Sequence, residues 1–283
     1  MNRHIQTASD LIGMIYDCVL DPEQWNRVLE ACRHRINFHY AALSLQSLPA
    51  GTPLLHACSG LSPEWLAKLP EFSADFIDRW GGRAKIFALP LSEPAILSEV
   101  NPGWASAESR YWREWADPLG ICDIMALGML REPNAIGSII LARHRRHGPI
   151  DSDTLEVARL ILPHAQRAIA ISRVLETRKL ALDGFWEAMD HLGLAVLSLG
   201  ANRAILQASR AARELLIDGP AVRSRHNRLS LGRHELDRRL DDIIATTCQG
   251  LAPGADMSLR DADGRGYLIQ VLPVPQSARV IET

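Results

Sequence analysis

Apolar side chains recur near helical spacing through Ile5, Ile12, Ile15, Tyr16 and Val19, and the pattern stops at Asp21-Pro22. That predicts an opening helix. A second helix is predicted over about 23–36, with Trp25, Val28, Leu29 and Cys32 on one side. Two short, largely apolar runs follow at 40–46 and 54–58, separated by a segment containing Pro49-Ala50-Gly51-Thr52-Pro53, which reads as an antiparallel hairpin. Ser62-Pro63-Glu64 starts a short helix through about Leu69, because proline is tolerated at the first helical position. Between 75 and 103 the breakers Gly81, Gly82, Pro90, Pro94, Pro102 and Gly103 cut the chain into loops and short elements that read as the cover of a pocket. A helix is predicted over 106–116, carrying Tyr111, Trp112 and Trp115, then two strands over 121–130 and 136–143.

The stretch 151–190 has helical composition almost throughout. Asp151, Ser152 or Asp153 can cap its start by accepting from free backbone amides. Ile161, Ala168, Leu175, Leu182 and Met189 recur every seven residues, with Ile171 and Phe185 on the adjoining line, the pattern of a seam buried against a partner helix. Pro163 lacks an amide hydrogen and crowds the preceding turn, so a kink or break is expected near Leu162. Beyond the helix, strands are expected at 194–199 and 204–208, a helix at 210–216 capped by Ser209, a strand at 228–231, a helix at 234–248, and strands at 256–259 and 266–272. The final stretch, 278–283, offers only part of another strand. The resulting expectation is α+β: two antiparallel-sheet sensor domains joined by a long, kinked signal helix. Two strands, a helical cover, two strands and an exit helix is a GAF-like order over 1–150. Helix 151–190 connects it to a PAS-like order over 191–283, incomplete at its C-terminal end.

Composition narrows what such a molecule does. A chain of 283 residues with 47% hydrophobic content has enough material for two modest cores. The formal net charge of -2 supplies no global basic field for nucleic acid or an anionic membrane. Five widely spaced cysteines without a CxxC pair point to reduced thiols and a cytoplasmic location. Asp10 and Asp17 spoil the start as a signal peptide, and no apolar run approaches the roughly 20 residues that span a bilayer, so no membrane partner is expected.

The most site-like feature is aromatic: Trp104, Tyr111, Trp112 and Trp115, with Trp80 and Asp123 nearby. A pocket for a small organic ligand needs an apolar wall and a few oriented polar groups, which indole N–H, phenol O–H and a carboxylate supply. The competing reading is that these are core aromatics beneath a loop, and both readings stay open. The run Arg143-His144-Arg145-Arg146-His147 lacks interleaved stacking aromatics and reads as a solvated strand exit rather than a nucleic-acid site. His164 reads as a satisfied helix residue facing the first domain, the alternative being a pH switch. Cys32, His34 and His39 lack a second ligand pair for zinc, and Ser9, Asp10 and His4 do not make nucleophile machinery, so no metal, no cofactor and no enzymatic activity are expected.

The segments 110–169 (RYWREWADPLGICDIMALGMLREPNAIGSIILARHRRHGPIDSDTLEVARLILPHAQRAI), 201–216 (ANRAILQASRAARELL) and 15–30 (IYDCVLDPEQWNRVLE) resemble the sensor region of bacterial LuxR-type helix-turn-helix regulators. The resemblance implies ligand sensing and homodimerisation, with DNA contacted only through a C-terminal helix-turn-helix domain. The chain ends at Val280-Ile281-Glu282-Thr283, where that domain would still lie ahead, so a sensor region without its DNA reader is expected. The alternative is a free-standing interaction protein that heterodimerises with full-length regulators and inhibits them.

Overall fold

The computed structural model describes residues 3–200, 202–219, 221–249, 253–261 and 263–273. Two compact units divide inside the long helix, at 177/178. The expected short strand at 278–283 lies outside the described residues.

The first unit opens with α1 (Arg3–Asp17) and α2 (Trp25–Arg35). The buried line of α1 is Ala8, Leu11 and Ile15, continued by Cys18; Ile5 and Tyr16 are exposed, so the helix sits rotated from the expected face. Ile12 and Val19 pack at its margin. On α2 the expected face holds, with Trp25, Val28, Leu29 and Cys32 all buried. The hairpin forms as β1 (Tyr40–Ser47) and β2 (Pro53–Ser59). The cover is α3 (Pro63–Lys68), α4 (Ser73–Arg79), α5 (Gly82–Ala88), a two-residue strand β3 (Ala95–Ile96) and a single turn α6 (Leu97–Val100). The helix expected over 106–116 is shorter than the pattern suggested: its regular part is a π-helical turn, Trp112–Ala116, closed by Asp117 N donating to Trp112 O at 2.9 Å. Ser109 Oγ meanwhile accepts from the Trp112 amide, holding the entry to the turn in place of a longer helix.

Strands β4 (Ile121–Glu132) and β5 (Ala135–His144) complete a five-stranded antiparallel sheet in the order β2-β1-β5-β4-β3. Side chains alternate across it, as a pleat requires. Leu43, Leu45, Met125, Leu127, Ile139 and Leu141 face a core shared with α1 and α2. Tyr40, Ile124 and Ala142 face the cover. The core on the helical side also takes in the first half of α7 (Ser152–His191).

Of the kink or break expected near Leu162, the break does not occur: helix α7 runs continuously through Pro163. Pro163 is exposed while Ile161, Leu162 and Ala165 are buried beside it. One lost backbone hydrogen bond on the solvent side is outweighed by that packing. Asp151 is the cap, its carboxylate accepting from the Thr154 amide at 2.7 Å.

The second unit contains β6 (Leu197–Leu199), β7 (Ile205–Ala208), α8 (Arg210–Asp218), β8 (Arg223–Arg225), β9 (Arg228–Ser230), α9 (His234–Cys248), β10 (Ala255–Arg260) and β11 (Gly266–Val271). Among the described residues its strands pair as antiparallel hairpins, β6-β7, β8-β9 and β10-β11, the first two joined by a bridge between Ala204 and Arg228, around a core of Leu229, Leu231, Leu240, Ile244, Met257 and Leu259. Ser209 caps α8 as expected, accepting from the Ala212 amide. Its hydroxyl also donates to Leu194 O at 2.7 Å. Strand β8 has no counterpart in the sequence reading, because RSR alternates nothing apolar; it exists by pairing with β9.

Candidate functional site

The aromatic cluster assembles, but largely as a wall. Trp80, Trp104, Tyr111 and Trp115 are buried in one core between sheet and cover, and Trp112 packs at its edge. Trp115 stands edge-on to Trp65 and Tyr40, at centroid distances of 5.5 and 6.4 Å, and its indole donates to Tyr40 Oη. Tyr111 meets Phe76 at 5.5 Å, and Trp104 meets Trp112 at 5.2 Å. Burial pushes the phenols of Tyr40 and Tyr111 above their ordinary range, so both stay neutral. Asp123 is buried and spoken for: its carboxylate accepts from Ser98 N at 3.1 Å, Ser98 Oγ at 2.6 Å and Ile124 N at 2.8 Å. It anchors α6 to β4, which corrects the expectation that it presents a free acceptor to a ligand.

The cavity lies beside this wall. It has a volume of about 100 Å³ and is bounded by Phe76 and Trp80 from the cover, by Ile86, Leu89 and Leu91 around the end of α5, and by the sheet surface from Ala126 to Ile140. Of the residues singled out from sequence, Trp80 lines it; Trp104, Tyr111, Trp112, Trp115 and Asp123 do not. Its floor is made by small residues, Gly128, Gly137 and Ser138. A Cβ at Gly128 would stand 2.5 Å from Leu91 Cδ2, so a side chain there would have to move the Leu91 side chain aside.

Three side chains that sequence reasoning passed over hold the cavity rim. Arg131, on β4, donates through Nη1 to Phe87 O and Leu89 O and through Nη2 to Ile86 O, tying the end of α5 to the sheet. Gln166, on α7, donates to Leu91 O and to Gly128 O, each at 2.7 Å. Arg159, about two turns earlier on α7, meets Glu93 at 2.8 Å. Strand β3 pairs only with Met125 and Ala126, so the sheet edge at Gly128 is left for Gln166 to satisfy. A signal existed: Gln166 lies between Ala165 and Ile169 on a helix otherwise burying apolar residues, and a polar residue there needs a partner.

The remaining candidates separate. Arg143, read as solvated, is 2% exposed and donates to Ile36 O, Asn37 O, His147 O and Pro149 O, with Asp151 at 3.5 Å. It fastens the end of α2 to the exit of β5. His164 Nδ1 sits 3.1 Å from Tyr16 Oη, the satisfied arrangement within the first unit. Among the described residues no group of three or more His, Cys, Asp or Glu side chains is placed to hold a metal ion, and no helix is long and apolar enough to cross a membrane.

The proposed seam divides in two. Ile161 and Ala168 belong to the first unit's own core and are unavailable to a partner helix, a correction that follows from the sheet covering α7 up to Ile169. Ile171, Leu175, Leu182 and Phe185 are between 40% and 47% exposed, and Met189 is partly buried.

No family model matches the sequence, and no curated protein matches it. Solved structures do show likeness. The VqsR LBD domain from Pseudomonas aeruginosa is 9% identical with a TM-score of 0.44, over 58% of this chain and 94% of that one. CepR2 from Burkholderia cenocepacia, an N-acylhomoserine lactone dependent LuxR family factor, is 16% identical with a TM-score of 0.44, over 59% and 93%. A GAF domain/HD domain protein from Geobacter sulfurreducens is 18% identical with a TM-score of 0.37, over 58% and 98%. At these values no residue role or ligand passes from them to this chain.

Proposed function

We propose that this chain is a non-catalytic, ligand-sensing and dimerising region of a LuxR-type transcriptional regulator, with a GAF-like unit reading a small molecule and a PAS-like unit following it. The observation that carries this reading is the pair of hydrogen bonds from Gln166 to Leu91 O and Gly128 O. The exit helix thereby grips the lip of the cavity and its floor with one side chain, and Arg159 grips the same rim through Glu93. An occupant that displaces the 89–93 segment must either break these bonds or carry α7 with it. Such a signal requires the occupant to favour one packing over the other. The sequence resemblance over 110–169 supplies the regulatory context, with promoter DNA reached through a helix-turn-helix domain.

Helix α7 beyond Ile169 is the dimerisation element in this reading. Ile171, Val174, Leu175, Leu182 and Phe185 expose large apolar side chains, an arrangement that a second copy would bury. Native mass spectrometry of the purified chain tests both halves at once: a dimer mass and a retained small molecule are expected. A monomer with no retained or acquirable ligand would sink the reading. The free-standing inhibitor remains the second reading, and co-expression with a full-length regulator, scored as mixed dimers, distinguishes it.

A further inference from the structure

The charged and amide side chains around the first unit's cavity are already committed. Arg131 gives both terminal nitrogens to carbonyls at the end of α5, Gln166 gives its amide to Leu91 O and Gly128 O, and the Glu93 carboxylate meets Arg159. The rest of the lining is mostly hydrocarbon, including Ile86, Leu89, Leu91, Ile136 and Ile140. An ion entering this space would shed water and find no free ionic partner, which costs more than an apolar wall returns.

Size is as restrictive as charge. The cavity measures about 100 Å³. A space of roughly 150 Å³ accommodates the six carbon atoms of benzene, so this one has room for about four heavy atoms. Leu91 sets that limit. Its side chain lines the cavity and lies over Gly128, where a Cβ would stand 2.5 Å from Leu91 Cδ2 and 3.9 Å from Leu91 Cα. The Leu91 carbonyl is also one of the two that Gln166 of α7 holds. The side chain that meets an occupant and the atom bonded to the exit helix therefore belong to one residue.

We infer that the cavity takes a small, uncharged, apolar molecule of about four heavy atoms, and that Leu91 is the residue that excludes anything larger. The inference rests on the sensing reading and narrows its ligand class. It also places the reading of size at the point where the cavity rim is bonded to α7.

Methyl-resolved NMR of the full chain tests it with four probes: xenon and benzene for size, acetate and propylammonium for charge. Xenon is expected to shift the methyl resonances of Ile86, Leu89, Leu91, Ile136 and Ile140. Acetate and propylammonium, with four heavy atoms each, are expected to leave them in place. Benzene is expected to bind the wild-type chain at least about tenfold more weakly than it binds Leu91→Ala. Loss of three carbon atoms adds about 75 Å³ by the benzene yardstick, which brings the space past what the ring needs. Should Leu91→Ala fold poorly, Leu91→Val serves, with a smaller gain in benzene affinity expected. Benzene binding as tight to the wild type as to the variant overturns the role of Leu91. Methyl shifts with acetate or propylammonium as large as those with xenon overturn the uncharged class, and methyls unmoved by xenon overturn the whole assignment. The sensing reading is tested apart from these outcomes, by the mass of any ligand retained on the purified chain.

Discussion

Single side chains in this protein divide between those that satisfy the fold and those left open to something else. Arg143 is of the first kind. Its guanidinium replaces the missing partners of backbone carbonyls at the end of α2 and at the β5 exit, in a place almost closed to water. Arg143→Met leaves those carbonyls unpaired, and urea unfolding is expected to register a loss of about 3 kcal/mol. A loss under about 0.5 kcal/mol, the usual surface figure, would contradict the account. The histidines around it give a pH dependence. Burial first, then His144, Arg146, Arg33 and His147, lowers the pKa of His39, and His144 and His147 are lowered in the same way. The unfolded chain binds protons near pH 6.5 while the folded one resists them. Stability from these groups is therefore full above about pH 6.5 and falls as pH drops through the lowered folded values. Melting temperatures should decline between pH 7 and pH 5.5, and less steeply in His39→Asn.

At the scale of elements, the cavity exists because β3 stops early and β4 carries glycine at its edge. The register shift between Gly128 and Leu130 bulges β4 at that point, and Gln166 reaches the freed carbonyl. Gln166→Leu should therefore cost about 1–2 kcal/mol of stability and speed amide exchange selectively over 89–93. Uniform exchange across the unit would instead mean that Gln166 only fills space. In the second unit, Arg203 ties the turn before β7 to α9 through Asp237 at 3.1 Å and Asp241 at 2.7 Å. Burial would raise the Asp237 carboxyl, but hydrogen bonds from the Leu231 amide and Ser230 hydroxyl, together with Arg203, hold it below the usual range.

For the whole molecule, α7 serves two purposes in succession. Its apolar lane is consumed by the first unit's core up to Ile169 and is exposed from Ile171 to Phe185. The heptad alone does not reveal that handover, because Ile161, Ala168, Leu175 and Leu182 occupy equivalent positions in the repeat. Leu175→Glu with Leu182→Glu places charge on the exposed lane without touching the core. Static light scattering is expected to find a monomer with an unchanged melting profile in that variant; a persistent dimer would show that another surface joins the copies.

Much of the fold was legible because local chemistry is decisive where it agrees with the core. The buried face of α2, the two hairpins of the first unit, the Asp151 and Ser209 caps and the helical character of 152–191 all follow from spacing, turn residues and capping oxygens. Other features needed the folded chain. Whether an aromatic is wall or lining depends on which side chains stack first, and Trp115 is enclosed by Trp65, Phe72 and Tyr40 before any ligand reaches it. Whether Asp123 is a free acceptor depends on Ser98, a residue 25 positions away. The cavity likewise joins β4, β5 and the end of α5, which are far apart in sequence. The chain by itself determined its elements and the alternation of its strands, because those rest on contacts within a few residues. Only tertiary structure decided which buried donors, Trp80 Nε1 and Arg131 Nε included, lack a partner among the described residues, since an unpaired group is defined by everything that packs around it.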